Sequence, residues 1–183
     1  MSYFERIHEG LDVAPMLADL AAHPMLWDQH KERRTAADSP HAGMQDIWCR
    51  ARTYDDIDVP NAFREPHYPV FYPAWRALPS IQPVVYSLMA MTQAVHLGNV
   101  LLTRIPPGGQ IEPHIDTGWA PEWFTSKFYV VLQSDRCVNV CGDESVQMRA
   151  GEVWRFENRV THSVDNRGDV DRISLIITMR SEP

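Results

Sequence analysis

Apolar and polar positions change rhythm once along this chain. Up to about residue 98 the apolar residues cluster irregularly, and from Asn99 onward they come in short runs cut by Gly, Pro and Asp. In the first part, "APMLADLAAH" has helical spacing with Pro15 near its start and Pro24 after its end, which predicts a short helix. "HKERRTAADSPHAG" has no period and reads as a polar loop. "MQDIWCRARTY" alternates, so a strand there would put Ile47, Cys49 and Ala51 on one face and Trp48, Arg50 and Arg52 on the other. "YDDIDVPNAFREPHYPVFYPAWRALP" is dense in prolines and aromatics and reads as an ordered connection packed by its rings. A helix is predicted after it, capped by Ser80, tolerant of Pro83 in its first turn, with Val84, Leu88, Met91 and Val95 on its core face and Gly98 at its end.

The second part predicts strands at "VLLTRI", "QIEPHID", "KFYVVLQ", "CVNVC", "SVQMR", "EVWRF", "VTHSVD" and "DRISLIITM", with breaks at 106–109, 118–126, 142–144, 151 and 167–168. Eight short strands at this spacing suggest a doubled antiparallel sheet of the jelly-roll kind. The expected class is mainly β with flanking helices (α+β). We expect a single domain over 1–183, with helical and irregular support in 1–98 and the β core in 99–180.

Composition narrows the function classes. A formal net charge of −7 argues against a non-specific binder of nucleic-acid backbones. Three cysteines, an odd count, suit a reducing compartment; Cys137 and Cys141 are four apart, but no second pair accompanies them, so buried thiols are favoured over zinc. With neither a leader-like N-terminus nor an apolar stretch of spanning length, the expectation is a cytoplasmic protein with no membrane partner. Oligomeric state is open.

The chemistry starts in "IPPGGQIEPHIDTGW". Polar side chains facing a core are costly unless something binds them. On a strand, His114 and Asp116 would point to one face, and a metal ion is one group that needs both. His-x-Asp alone is weak: His30-x-Glu32 has a similar form and reads as solvated charge. What strengthens the second instance is His162 in a later strand, which makes two imidazoles and one carboxylate, the facial set of non-haem iron(II) oxygenases. Ten residues on, Arg172 opens "DRISLIITM" with Ser174, Ile176 and Thr178 on its face, and its guanidinium could grip a carboxylate. Lys127 could supply a second cation, with Tyr129 beside it. The bland alternatives are a turn-capping Asp116, a core imidazole at His162 and a surface ion pair for Arg172 with Asp169 or Asp171.

From about Asn99 to Met179 the chain resembles the iron(II)- and 2-oxoglutarate-dependent dioxygenases, more closely their aspartyl/asparaginyl β-hydroxylase branch. The residues that carry this are "IPPGGQIEPHID", "GEVWRFENRVTHSVDN" and "RISLIIT". The N-terminal third resembles small hydroxylase-like proteins of bacteria and phages. The resemblance implies a double-stranded β-helix with His114, Asp116 and His162 as iron(II) ligands. It further implies Arg172 as anchor for the distal carboxylate of 2-oxoglutarate, with dioxygen as oxidant. It places Thr103 at a hydroxyl near the co-substrate, and Lys127 and Tyr129 where animal members use an arginine and a histidine. Some animal members lack the acidic ligand, whereas Asp116 is present here. The implied reaction is hydroxylation of an aspartyl, asparaginyl or other residue in a peptide or protein. The alternatives are a free amino acid or small carboxylate as substrate, or a non-catalytic cupin-like metal-binding or sensing module. Candidate substrate contacts are Arg50 and Arg52, for a carboxylate, and Trp119 and Trp123 with Phe124, as a lid or merely as cover for the barrel mouth.

Overall fold

The computed structural model describes residues 2–53 and 65–181. In chain order the elements are β1 (Phe4–His8), α1 (Ala14–Ala22), a 3-10 turn (Pro24–Leu26), α2 (Glu32–Thr35), β2 (Gln45–Ala51), β3 (Val70–Phe71), α3 (Pro73–Ala77), α4 (Ile81–Met91), β4 (Ala94–Ile105), β5 (Gln110–His114), α5 (Trp119–Trp123), β6 (Ser126–Gln133), β7 (Cys137–Cys141), β8 (Glu144–Gln147), β9 (Val153–Phe156), β10 (His162–Asn166) and β11 (Arg172–Ser181). Every strand expected after residue 99 is present. The chain adds β1 and β3, which the apolar pattern did not announce. Residues 54–64 of the proline- and aromatic-rich connection lie outside the described residues; the rest of that stretch forms β3 and the short helix α3.

Two antiparallel sheets face each other. The larger runs β1-β9-β6-β11-β4-β2-β3 and the smaller β5-β10-β7-β8. This is a double-stranded β-helix. Strands β4, β6 and β11 read as nearly continuous apolar runs because both their faces are covered. Val100, Leu102, Phe128, Val130, Leu132, Leu175, Ile177 and Met179 pack outward against Met16 and Leu20 of α1 and Ile81, Val85 and Leu88 of α4. The alternate residues Leu101, Tyr129, Val131 and Ile176 point between the sheets. Each fully buried aliphatic side chain in these layers contributes about 1.5–3 kcal/mol. Together they make a stiff wall from which the polar side chains of the same strands project inward.

Helix α4 ends at Met91, and Val95 and Gly98 belong to β4. Its core face is Ile81, Val85 and Leu88, while Met91 and Val95 are exposed. Gln93, at φ 53°, turns the chain out of the helix. Gly98 is a glycine for a different reason from a helix stop: a Cβ there would run into Thr178 Oγ1 and the Phe124 ring. Ser80 makes no side-chain cap to its helix; its hydroxyl donates to Asp19 Oδ2 of α1 at 2.5 Å, tying the two helices together.

Strand β2 also departs from its expected alternation. Its register against β4 slips between Trp48 and Arg50, so a bulge breaks the alternation. Ile47 and Cys49 still face the helices, but Trp48 and Ala51, three apart, now share the interior face. The face expected for Trp48, Arg50 and Arg52 therefore does not exist.

Candidate metal centre and active-site cavity

His114 ends β5 and His162 begins β10, and the two are direct partners in that antiparallel pair. Between this pair and Ile111–Val164, β5 carries one more residue than β10. Pro113, which has no N–H to donate, lies in that bulge on an edge strand, where a proline is tolerated. The bulge turns His114 toward His162, and the ring centroids are 4.3 Å apart. Asp116 is not on the strand, as its two-residue spacing suggested, but in the loop beyond it. Its place is set by tertiary contacts: its N–H donates to Asn158 O at 3.1 Å. Asn158 Nδ2 donates to its Oδ2 at 2.8 Å, and Lys127 Nζ to the same oxygen at 2.5 Å.

One ligand atom from each of His114, Asp116 and His162 falls within 4.8 Å of the others. Asp116 Oδ1 stands 3.4 Å from His114 Nε2 and 3.9 Å from His162 Nε2. Both imidazoles have Nδ1 at a backbone carbonyl two residues back: Glu112 O at 2.8 Å and Val160 O at 2.9 Å. A carbonyl can only accept, so each Nδ1 carries a proton, and in the neutral ring the lone pair lies on Nε2. His114 Nε2 is buried with no hydrogen-bond partner. Burial, helped by the charge of Lys127, pushes His162 down to about 4. Burial opposes ionisation of Asp116, but the Lys127 charge and hydrogen bonds hold its carboxyl well below the usual range. Two imidazole nitrogens and one carboxylate oxygen thus converge, and this donor set fits a divalent iron-like cation. Among the described residues no other group of this kind occurs. Cys137 and Cys141 are buried in separate clusters.

Arg172 is 1% exposed. Its guanidinium lies 4.6 Å over the Tyr129 ring, and Nη2 donates to Asn139 Oδ1 of β7 at 3.3 Å. Nη1 has no partner, and neither do Asn139 Nδ2 and Ser174 Oγ. Thr103, opposite Ser174 and fully buried, donates weakly to its carbonyl at 3.5 Å. A buried guanidinium with idle donors and no carboxylate among the described residues lacks its counter-charge, which an anion would supply. Lys127 does not stand free for that purpose, because it is engaged by Asp116. Tyr129 supports Arg172 from below and stacks on Phe156 at 4.5 Å.

A cavity of about 230 Å³ opens beside Asp116, lined by Trp48, Leu101 and Ile176 from the sheet and by Arg33, His41, Arg52, Lys127 and Asn158. Arg50 is not in it: it donates to Leu97 O and lies over Phe71, in a second hollow. Arg52 is in it, with Nε buried and unpartnered. Arg33 is paired with Asp46 at 3.1 Å. Trp119 and Trp123 stack on each other at 5.6 Å, and α5 turns Ala120 and Pro121, rather than the indoles, to the cavity. The stretch read as a polar loop supplies Arg33 and His41, and His41 packs edge-on to His114 with centroids 4.8 Å apart. Burial, with Arg33 beside it, pushes His41 down to about 2. His30 is not solvated charge either but packs against Trp48 and Tyr72. Sequence reading missed Arg33, His41 and Asn139; only Asn158 carried a signal, four residues before His162.

A family model described as aspartyl/asparaginyl β-hydroxylase matches residues 71–182. No curated protein matches the sequence. Two solved structures are similar over nearly the whole chain. One is a prolyl hydroxylase from Trichoplax adhaerens in complex with a hypoxia inducible factor oxygen degradation domain peptide fragment, 11% identical over 97% of this chain and 83% of that one, TM-score 0.67. The other is a prolyl-4-hydroxylase from Pseudomonas putida, 14% identical over 99% and 94%, TM-score 0.53. At these identities the likeness is one of fold. No described helix is long and apolar enough to cross a membrane.

Proposed function

This chain belongs to the aspartyl/asparaginyl β-hydroxylase family, and from that premise we propose a division of labour among its residues. Family and fold make the protein a 2-oxoglutarate-dependent hydroxylase, an oxidoreductase. In the proposed reading His114, Asp116 and His162 hold iron(II), and Arg172 receives the distal carboxylate of 2-oxoglutarate with Thr103 and Ser174 close by. The substrate is an acidic amino acid residue in a peptide or protein, and Arg52 receives its carboxylate. The observation that carries the reading is the convergence of three ligand-type atoms, each imidazole fixed by a carbonyl on its other nitrogen.

Bound iron(II), 2-oxoglutarate and dioxygen supply an oxidant able to hydroxylate an unactivated C–H bond. The protein's share is positioning. The carbonyls of Glu112 and Val160 keep a proton on each Nδ1, so Nε2 is the ring atom turned to the metal position. Tyr129 and Asn139 hold the Arg172 fork in one plane, which suits two-point recognition of a carboxylate. Trp48, Leu101 and Ile176 give the cavity an apolar wall that keeps water from the reacting carbon. Arg52 is the cation there whose carboxylate partner is missing among the described residues, since Arg33 has Asp46 and Lys127 has Asp116. A peptide is proposed because the Trichoplax relative is solved with a peptide fragment.

The test is anaerobic addition of iron(II) and 2-oxoglutarate to metal-free protein. A visible absorption band is expected, lost in His162→Ala and weakened in Arg172→Ala. Absence of the band in the wild type would overturn the reading. Succinate formation with aspartyl peptides, asparaginyl peptides and free aspartate then separates the substrate forms.

A further inference from the structure

Asp116 lies past the end of its strand, where no ladder sets its direction, yet its two oxygens have different surroundings. Oδ1 faces the two Nε2 atoms, and Oδ2 receives Lys127 Nζ and Asn158 Nδ2. Asn158 holds Asp116 at a second point, because its main-chain oxygen accepts the Asp116 N–H. It is 4% exposed and sits in the turn between β9 and β10, four residues before His162. The turn that delivers the second histidine therefore also delivers a two-point clasp on the carboxylate.

We propose that Asn158 is a positioning residue that fixes Asp116 so that Oδ1 alone faces the metal. The inference rests on the metal reading above and adds a role outside the ligand set. A carboxylate left to rotate can present either oxygen or both, and a second oxygen on the metal would fill a position that the co-substrate needs. With Oδ2 occupied by two donors, turning it inward means breaking both hydrogen bonds. Lys127 by itself is a poor guide, being a point charge on a flexible stem that can follow either oxygen. The amide of Asn158 is planar, short and anchored by its own backbone contact, so it sets a direction. Asn166, in the same motif, does something different: its side chain bonds only main-chain groups, at Ile105, Val170 and Gly168.

The experiment uses cobalt(II) as the probe, with calorimetry for affinity and the visible d–d absorption for coordination. Asn158→Ala removes the donor, and Asn158→Leu removes it while keeping the volume; circular dichroism and melting of the metal-free protein report folding. Both variants are expected to bind cobalt(II) about tenfold to a hundredfold more weakly, the usual loss for an outer-shell partner. The band should also shift or change intensity as the second oxygen reaches the metal. Wild-type affinity, or weakened binding with an unchanged band, would overturn the proposal, because a purely structural residue leaves the coordination as it is. Should neither variant fold, Asn158→Asp keeps the shape and is judged by the band alone. If the wild type binds no cobalt(II), or binds it equally well after His162→Ala, it is the metal reading that fails instead.

Discussion

His114 and His162 face each other as register partners across β5 and β10, and each holds its Nδ1 on the carbonyl oxygen two residues before it. The shared arrangement turns both Nε2 atoms toward Asp116 Oδ1, at 3.4 and 3.9 Å. Preorganisation of this kind means that ligand geometry should survive in the metal-free protein.

Arg172 should be dispensable for folding. Burying an unpaired guanidinium is unfavourable, so Arg172→Met is expected to melt at or above the wild-type temperature without metal. The same variant should lose the rise in melting temperature that 2-oxoglutarate with manganese(II) gives the wild type. A strongly destabilised Arg172→Met would mean that the guanidinium is structural.

The two arginines near the end of β2 should separate in kinetics. Arg52→Gln is expected to raise KM for an acidic peptide about 10–100-fold, the equivalent of about 1.5–3 kcal/mol for a charge-assisted bond, with little change toward an asparaginyl peptide. Arg50→Gln should change neither, because Arg50 is spent on Leu97 O and Phe71 in the neighbouring hollow. Equal effects from both would remove Arg52 from the substrate site.

Acid should weaken the metal-free fold earlier than its carboxylates would suggest. His41 and His162 are held neutral to about 2 and about 4, chiefly by burial, while in the unfolded chain each titrates near 6.5. Below pH 6.5 the unfolded chain therefore binds more protons, and stability falls as pH drops through the window from 6.5 toward 4. Between pH 7.5 and pH 5 each histidine costs roughly 2 kcal/mol. Urea unfolding of His41→Asn at these two pH values should show a difference about 2 kcal/mol smaller than in the wild type.

Asn166→Ala should behave as a pure stability variant. It removes buried bonds to the Ile105 carbonyl and the Gly168 N–H, and a half-buried one to the Val170 carbonyl. A loss of about 3 kcal/mol in chemical unfolding is expected, with the cobalt(II) band unaltered. An altered band would show that the Ile105–Gly109 turn positions the ligands as well.

Where the chain alternates without interruption, the pattern was enough to read the faces. In β11, Arg172, Ser174 and Ile176 do share the interior, as do Lys127 and Tyr129 in β6, because the period of a strand is a local property. The same logic misplaces Arg50, since one extra residue in β2 moves it off the face of Trp48 and puts Ala51 there instead. It also put Asp116 on a strand that ends at His114. The end of α4 was misread because Gly98 looks like a helix stop and is in fact a close-contact position in β4.

The sequence by itself determined the succession of strands along the chain, the identity of the ligand-type residues and their spacing, because these depend on local periodicity and on which side chains can bind a metal or a carboxylate. Only the tertiary structure decided that Lys127 serves Asp116 and not an open anion site, that Asn158 clasps the carboxylate, that Asn139 reaches Arg172 across the sheets, and that Arg33, His41 and Arg52 enclose the cavity. Those relationships join residues distant in the chain through bulges and loops, whose geometry is set by packing and not by any period in the sequence.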